Sequence, residues 1–295
     1  MDYNEFVNQL QMELQRCLGE AAKVAFHQIT KNNGVCRDCL LISEKGQNVS
    51  PAIYLEEYFR TVKAGVEIRQ IAEKIKKVYL ECRGRVPLDA KMFEDFEKVK
   101  DGLLCRLINR DKNQKLLSKI PFVPYLDLAV VFYYMLETEN FGSGTVLINF
   151  EHMKLWNVEQ EELYQIAREN TKHILPCRLY GMQDILQEMM TEKELLRYPF
   201  SEIPMYVLTN EKKYFGACGI MYDSVLEQAA NKLKDSFYVL PSSVHECIVI
   251  PQEEADDPQE LAAMVRDINR TQVLPEEILS DRIYHYDSKK HHLIM

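Results

Sequence analysis

The sequence predicts an α+β protein of two lobes, each a hairpin-rich, largely antiparallel sheet packed with helices. Three observations carry this. Short apolar runs of strand character are joined by turn residues more often than by helix-length crossovers. Between the hairpins run stripes of helical period. And 295 residues are enough for two cores, with Pro121-Phe-Val-Pro124 as the stiff, helix-ending hinge between them. The expected lobes are therefore 1–120 and 121–295.

Taken in order, Phe6, Val7, Leu10, Leu14 and Leu18 make the stripe of a first helix closed by Gly19. Residues 23–30 alternate as a half-buried strand, and Asn32-Asn33-Gly34 tolerates the positive φ of a hairpin returning through 35–42. Ser50-Pro51 has the order of a helix cap and first position and predicts a helix over 51–63. A second helix follows Gly65, with Ile68, Ile71, Ile75, Val78 and Tyr79 on one side, and Val86-Pro87-Leu88 breaks the chain. A short helix with Met92, Phe93 and Phe96, a strand over 103–108 and a short helix to Ser118 complete the first lobe.

In the second lobe, 126–136 is β-branched and aromatic, and Gly142-Ser143-Gly144 turns it into a strand over 145–150. Asn157 with Gln160 has capping-box spacing for a helix through Arg168, and 182–190 continues the helical character. The lobe centres on 203–251: a hairpin of 205–208 with 215–220, a helix capped by Asp223, and strands over 237–240 and 244–250. Asp257-Pro258 opens a further helix, and 283–286 with 292–294 form a last hairpin.

Apolar residues at 46% and charged residues at 27% exclude a disordered or membrane-embedded chain. The acidic start, Met1-Asp-Tyr-Asn-Glu-Phe, has neither basic leader nor apolar signal core, which predicts a cytoplasmic protein. Eight scattered cysteines fit reduced thiols used as small hydrophobes. The net charge of -9 hides a basic section, 60–119, with 16 Lys and Arg against 9 Asp and Glu.

Chemistry-bearing side chains coincide with strand pattern at Pro241-Ser-Ser-Val-His-Glu246. Two apart in a strand, Ser243 and His245 share a face and are the candidate nucleophile and base, with Asp223 or Asp281 as the orienting acid. The context lacks a Gly-x-Ser-x-Gly elbow, so the same residues also read as a turn whose hydroxyls bond the backbone. Cys36-Arg-Asp-Cys39 has half-zinc-site spacing, but a strand points the two thiols to opposite faces and no second pair completes four ligands. His285, His291 and His292 cluster near the C-terminus as exposed residues. The aromatic group Tyr198, Phe200, Tyr206, Tyr214, Phe215 and Tyr222 reads as core.

Asn48-Val-Ser-Pro-Ala-Ile-Tyr-Leu55, Pro124-Tyr-Leu-Asp-Leu128, Leu240-Pro-Ser-Ser-Val-His-Glu246 and Leu279-Ser-Asp-Arg-Ile-Tyr284 together give the chain its resemblance to a family. It resembles an uncharacterised bacterial domain-of-unknown-function family common in anaerobic gut Clostridia, nearly end to end. The resemblance implies a bacterial cytosolic protein and no activity, cofactor or catalytic residue. The expected function is non-catalytic binding or regulation of a macromolecular partner, a protein first, with no membrane, metal or cofactor. A hydrolase using Ser243 and His245, and an anion or nucleic-acid binder using 60–119, are the alternatives.

Overall fold

The computed structural model describes residues 1–44, 52–82, 90–138, 142–189, 204–255 and 257–295. The fold is α+β, and the described residues form three sheets: one three-stranded, one four-stranded and one six-stranded. The chain forms two compact units. One comprises Met1–Lys98 with Leu136–Thr145, the other Val99–Met135 with Val146–Met295.

In the first unit, α1 (Tyr3–Leu18) starts at Asp2, whose carboxylate accepts the Glu5 N–H, and ends at Gly19 with φ 71°. Gln15 fixes the turn into β1 (Ala22–Thr30): its amide donates to the Ala22 carbonyl and its oxygen accepts the Val24 N–H. β1 pairs antiparallel with β2 (Cys36–Glu44), and β2 with β3 (Ala52–Tyr54). Asn33 and Gly34 adopt the positive φ that their sequence suggests. Ser50 and Pro51 lie outside the described residues. Residues 52–54, expected as helix, form strand β3, and helix α2 (Glu56–Lys63) starts only beyond Leu55. With α3 (Ile68–Cys82), α1 covers a core of Phe6, Leu10, Leu14, Leu40, Ile42, Leu55, Ala72 and Ile75. Burying such side chains stabilises by about 1.5–3 kcal/mol each. The break at 86–88 lies outside the described residues. A short helix, α4 (Phe96–Val99), follows.

In the second unit, β4 (Leu103–Asn109) and β5 (Phe122–Tyr125) flank β6 (Leu128–Thr138), with α5 (Gln114–Leu117) between β4 and β5. The proline-bounded stretch expected as a hinge contains strand β5, paired with β6 from Phe122↔Val131 to Tyr125↔Leu128, and the chain passes between the two compact units at 98/99, 135/136 and 145/146. β7 (Gly142–Leu147) also pairs with β6.

Helix α6 (Phe150–Trp156) has the capping box, formed by Asn149 and His152, where Asn157–Gln160 was expected. Asn157 instead closes α6 in the left-handed region, and Glu159 starts α7 (Gln160–Ile174) without a side-chain cap. The six-stranded sheet runs β13-β12-β10-β11-β9-β8, where β8 is Cys177–Gly181, β9 Tyr206–Asn210, β10 Phe237–Leu240, β11 Cys247–Pro251, β12 Tyr284–Asp287 and β13 His292–Ile294. Helices α8 (Met182–Met189), α9 (Asp223–Leu233) and α10 (Pro258–Thr271) accompany it. Asp223 is the first residue of α9, not its cap. The hairpin partner expected at 215–220 is a tight 3-10 turn, Gly216–Met221, packed behind β9.

Candidate functional site

Three of the four segments that carry the family resemblance come together in the second unit. The third, residues 241–246, is the corner between the antiparallel neighbours β10 and β11. It is not strand, and β11 begins only at Cys247. Its backbone is held by a pass of chain at 277–280: the Val244 N–H donates to the Glu277 carbonyl at 2.8 Å, Leu279 N–H to Ser242 at 3.0 Å and Ser280 N–H to Pro241 at 2.9 Å. Buried backbone groups need such partners, and these provide them.

Behind this pass lies Asp127, buried at the β5–β6 turn, where Leu126 has φ 52°. Its carboxylate accepts the Ser280 hydroxyl at 2.7 Å and the Tyr284 hydroxyl at 2.6 Å. Burial, and then the adjacent carboxylate, hold the Tyr284 proton well above the usual tyrosine range. Asn269 donates to the Ser280 carbonyl at 2.9 Å and to Asp281 at 2.7 Å, so Asp281 faces Asn269 and Lys112.

The corner's side chains are engaged differently from a nucleophile and its base. The Ser243 hydroxyl accepts the backbone N–H of His245 at 3.0 Å and is bonded to the Glu246 carboxylate. The His245 ring turns to the other side. Its Nδ1 accepts the Phe215 N–H at 3.2 Å, which leaves the ring proton on Nε2, and Nε2 lies 3.5 Å from Glu277. The ring stacks on Phe215 at 5.5 Å and 6°. The structure thus brings Ser243 and His245 into one corner and joins them through the backbone. The carboxylate at the imidazole is Glu277, which the sequence did not single out.

Phe215 is the pivot of a second group. It holds φ 54°, a strained value for a bulky residue. The Arg106 guanidinium carbon lies 4.3 Å from its ring centroid, and Tyr133 packs edge-on at 5.2 Å.

Cys39, Cys105, Cys177, Cys218 and Cys247 are buried. Burial pushes the Cys105 thiol up to about 11, which leaves little reactive thiolate. Cys36 is exposed where Cys39 is buried. His285 meets Gln252 and His291 lies 3.5 Å from Glu227; among the described residues no group of three or more His, Cys, Asp or Glu is placed to hold a metal ion. The basic section is shared by both units. Among the described residues no helix is long and apolar enough to cross a membrane.

Glu246 provides a pH test of the corner. Burial raises its carboxyl above the ordinary 4.5, against the opposing pull of His245 and the Ser243 bond. A raised folded value means that the stabilising contribution is complete below the ordinary value and lost as pH rises through the folded one. Glu246→Gln, which keeps an acceptor for Ser243, is therefore expected to raise the denaturation midpoint at pH 7. That gain disappears in acid below the ordinary value. Urea titrations at the two pH values check it.

An α+β chain whose characteristic segments converge on one braced corner is the class these features define. The chain belongs to DUF5688, a family of unknown function, whose model matches residues 3–288. No curated protein and no solved structure matches it.

Proposed function

We propose that this is a bacterial cytoplasmic protein that binds a protein partner without catalysing a reaction. The observation that carries the reading is a groove between α1 and α3, about 330 Å³ in volume and lined by Gln9, Met12, Glu13, Arg16, Ile68 and Arg69. Met12 stands 72% exposed there. An unbranched thioether adapts to an incoming apolar side chain, and a groove between two helices suits an amphipathic partner helix. The engagement of Ser243 with a backbone N–H and a carboxylate, in place of the imidazole, supports a binder over a hydrolase.

A photo-crosslinking amino acid at position 12, with one at the exposed Met264 as control, tests this in the full-length chain. Crosslinking of one protein from position 12 alone is expected, reduced at least tenfold by Arg69→Glu. Identical products from both positions, or no product from position 12, refute it.

A further inference from the structure

We propose that Arg106 and Tyr133 form a binding site for one carboxylate group on an apolar small molecule. Both side chains project from the same face of the four-stranded sheet: Arg106 lies opposite Val131 in the β4–β6 register, and Tyr133 opposite Leu104. Arg106 is half-buried, and its Nε is enclosed without a hydrogen-bond partner. Tyr133 is fully buried, and its hydroxyl is likewise enclosed and unpartnered. Buried polar groups are nearly always satisfied, so two unsatisfied ones in adjacent side chains require an explanation. The guanidinium carbon is 5.8 Å from the Tyr133 ring centroid, so the two unsatisfied side chains are direct neighbours.

The charge is uncompensated too. Among the described residues no carboxylate pairs with Arg106; burial works against its charge, and only the phenol groups of Tyr214 and Tyr133 oppose that. The Phe215 face meets the guanidinium at 4.3 Å, and a cation over an aromatic ring recovers only part of the lost hydration.

These features select the ligand class. A planar guanidinium fork matches the two oxygens of a carboxylate, and a phenol hydroxyl adds a third donor. One cation balances one negative charge, whereas Glu246 and Glu277 beside His245 disfavour a dianion such as phosphate. Phe215, Tyr214 and Tyr133 supply an aromatic wall for an apolar body. The strained backbone of Phe215 then has a reason, because it lets one ring meet the guanidinium and stack on the His245 ring while its N–H donates to that imidazole. This site stands without the groove proposed for a protein partner, and either can fail alone.

The test titrates the full-length protein, labelled with 15N-arginine, with acetate, benzoate and inorganic phosphate, and follows the Arg106 Nε–H resonance, assigned by Arg106→Met. Saturable displacement by benzoate, weaker displacement by acetate and none by phosphate is expected. Tyr133→Phe, which removes only the hydroxyl, is expected to weaken benzoate about tenfold. If Arg106→Met does not fold, the arginine resonance is assigned in Arg106→Lys, and the wild-type and Tyr133→Phe titrations still decide. A resonance unmoved by all three probes overturns the proposal. So does preference for phosphate, or a Tyr133→Phe protein that binds benzoate as tightly as wild type.

Discussion

Asp127→Ala is expected to cost about 3–5 kcal/mol of folding stability, the largest effect of any single truncation at the corner. The carboxylate is buried and accepts two buried hydroxyls, from Ser280 at 2.7 Å and Tyr284 at 2.6 Å. Its removal takes from both hydroxyl protons the carboxylate that accepts them, at roughly 1–3 kcal/mol each, and opens a cavity as well, while the Ser280 oxygen keeps only the Arg282 N–H it accepts at 3.0 Å. The loss is not local. Asp127 stands at the turn of the four-stranded sheet, while Ser280 and Tyr284 lie on the pass of chain that holds residues 241–244 and enters β12 of the six-stranded sheet. One carboxylate therefore couples two sheets of the second unit. Asp127→Asn, still able to accept from one hydroxyl, is expected to lose less. In a double-mutant cycle with Tyr284→Phe the coupling should exceed about 1 kcal/mol. Urea denaturation measures all of these, and an Asp127→Ala midpoint close to wild type would show that the two hydroxyls find water instead.

What could be read in the sequence depended on how local the deciding interactions were. The stripes of α1 and α3 and the β1–β2 hairpin follow from residues within one element, and the structure has them. The helix expected over 51–63 came from a cap signal and overran into β3, because pairing with β2 decides the state of 52–54. Asn157 was read as starting one helix when it closes another, since asparagine serves both ends.

At the corner, Ser243 and His245 were visible as reactive types in an apolar run. Their partners were not: Phe215 and Glu277 lie about thirty residues away on either side of His245, and neither belongs to a periodic pattern. Asp127, Ser280 and Tyr284 did fall inside the segments that carry the family resemblance, although nothing in their spacing announced a shared hydrogen-bond network. Arg106 was counted as one cation in a basic section, and only the enclosure of its Nε distinguishes it from the others.

The misread stretch at 215–220 leads to the second large effect. Phe215-Gly-Ala-Cys-Gly-Ile220 was read as the hairpin partner of 205–208, yet two glycines so close together signal close backbone approach. At Gly216 the structure shows what approaches. A Cβ there would lie 2.7 Å from the His245 carbonyl oxygen and 2.8 Å from the Asn210 nitrogen, and it would overlap the Thr209 hydroxyl. Two of these three atoms are backbone and cannot rotate away. The third makes the 2.9 Å bond from Thr209 to the His245 carbonyl that ties β9 to the corner. Gly216→Ala is accordingly expected to destabilise by about 3 kcal/mol, at the upper end for overpacking by one methyl. Because Phe215 is the preceding residue, the displacement should also reach the His245 ring whose Nδ1 takes the Phe215 N–H. A shifted His245 Nδ1 resonance alongside the lowered urea midpoint is the expected signature. Gly144→Ala is the control: its nearest neighbour is the Leu136 side chain at 3.6 Å, an ordinary contact, so that variant should remain within about 0.5 kcal/mol of wild type. If Gly216→Ala proves as mild as Gly144→Ala, the turn does not press against the corner, and the strand reading of 215–220 regains its standing.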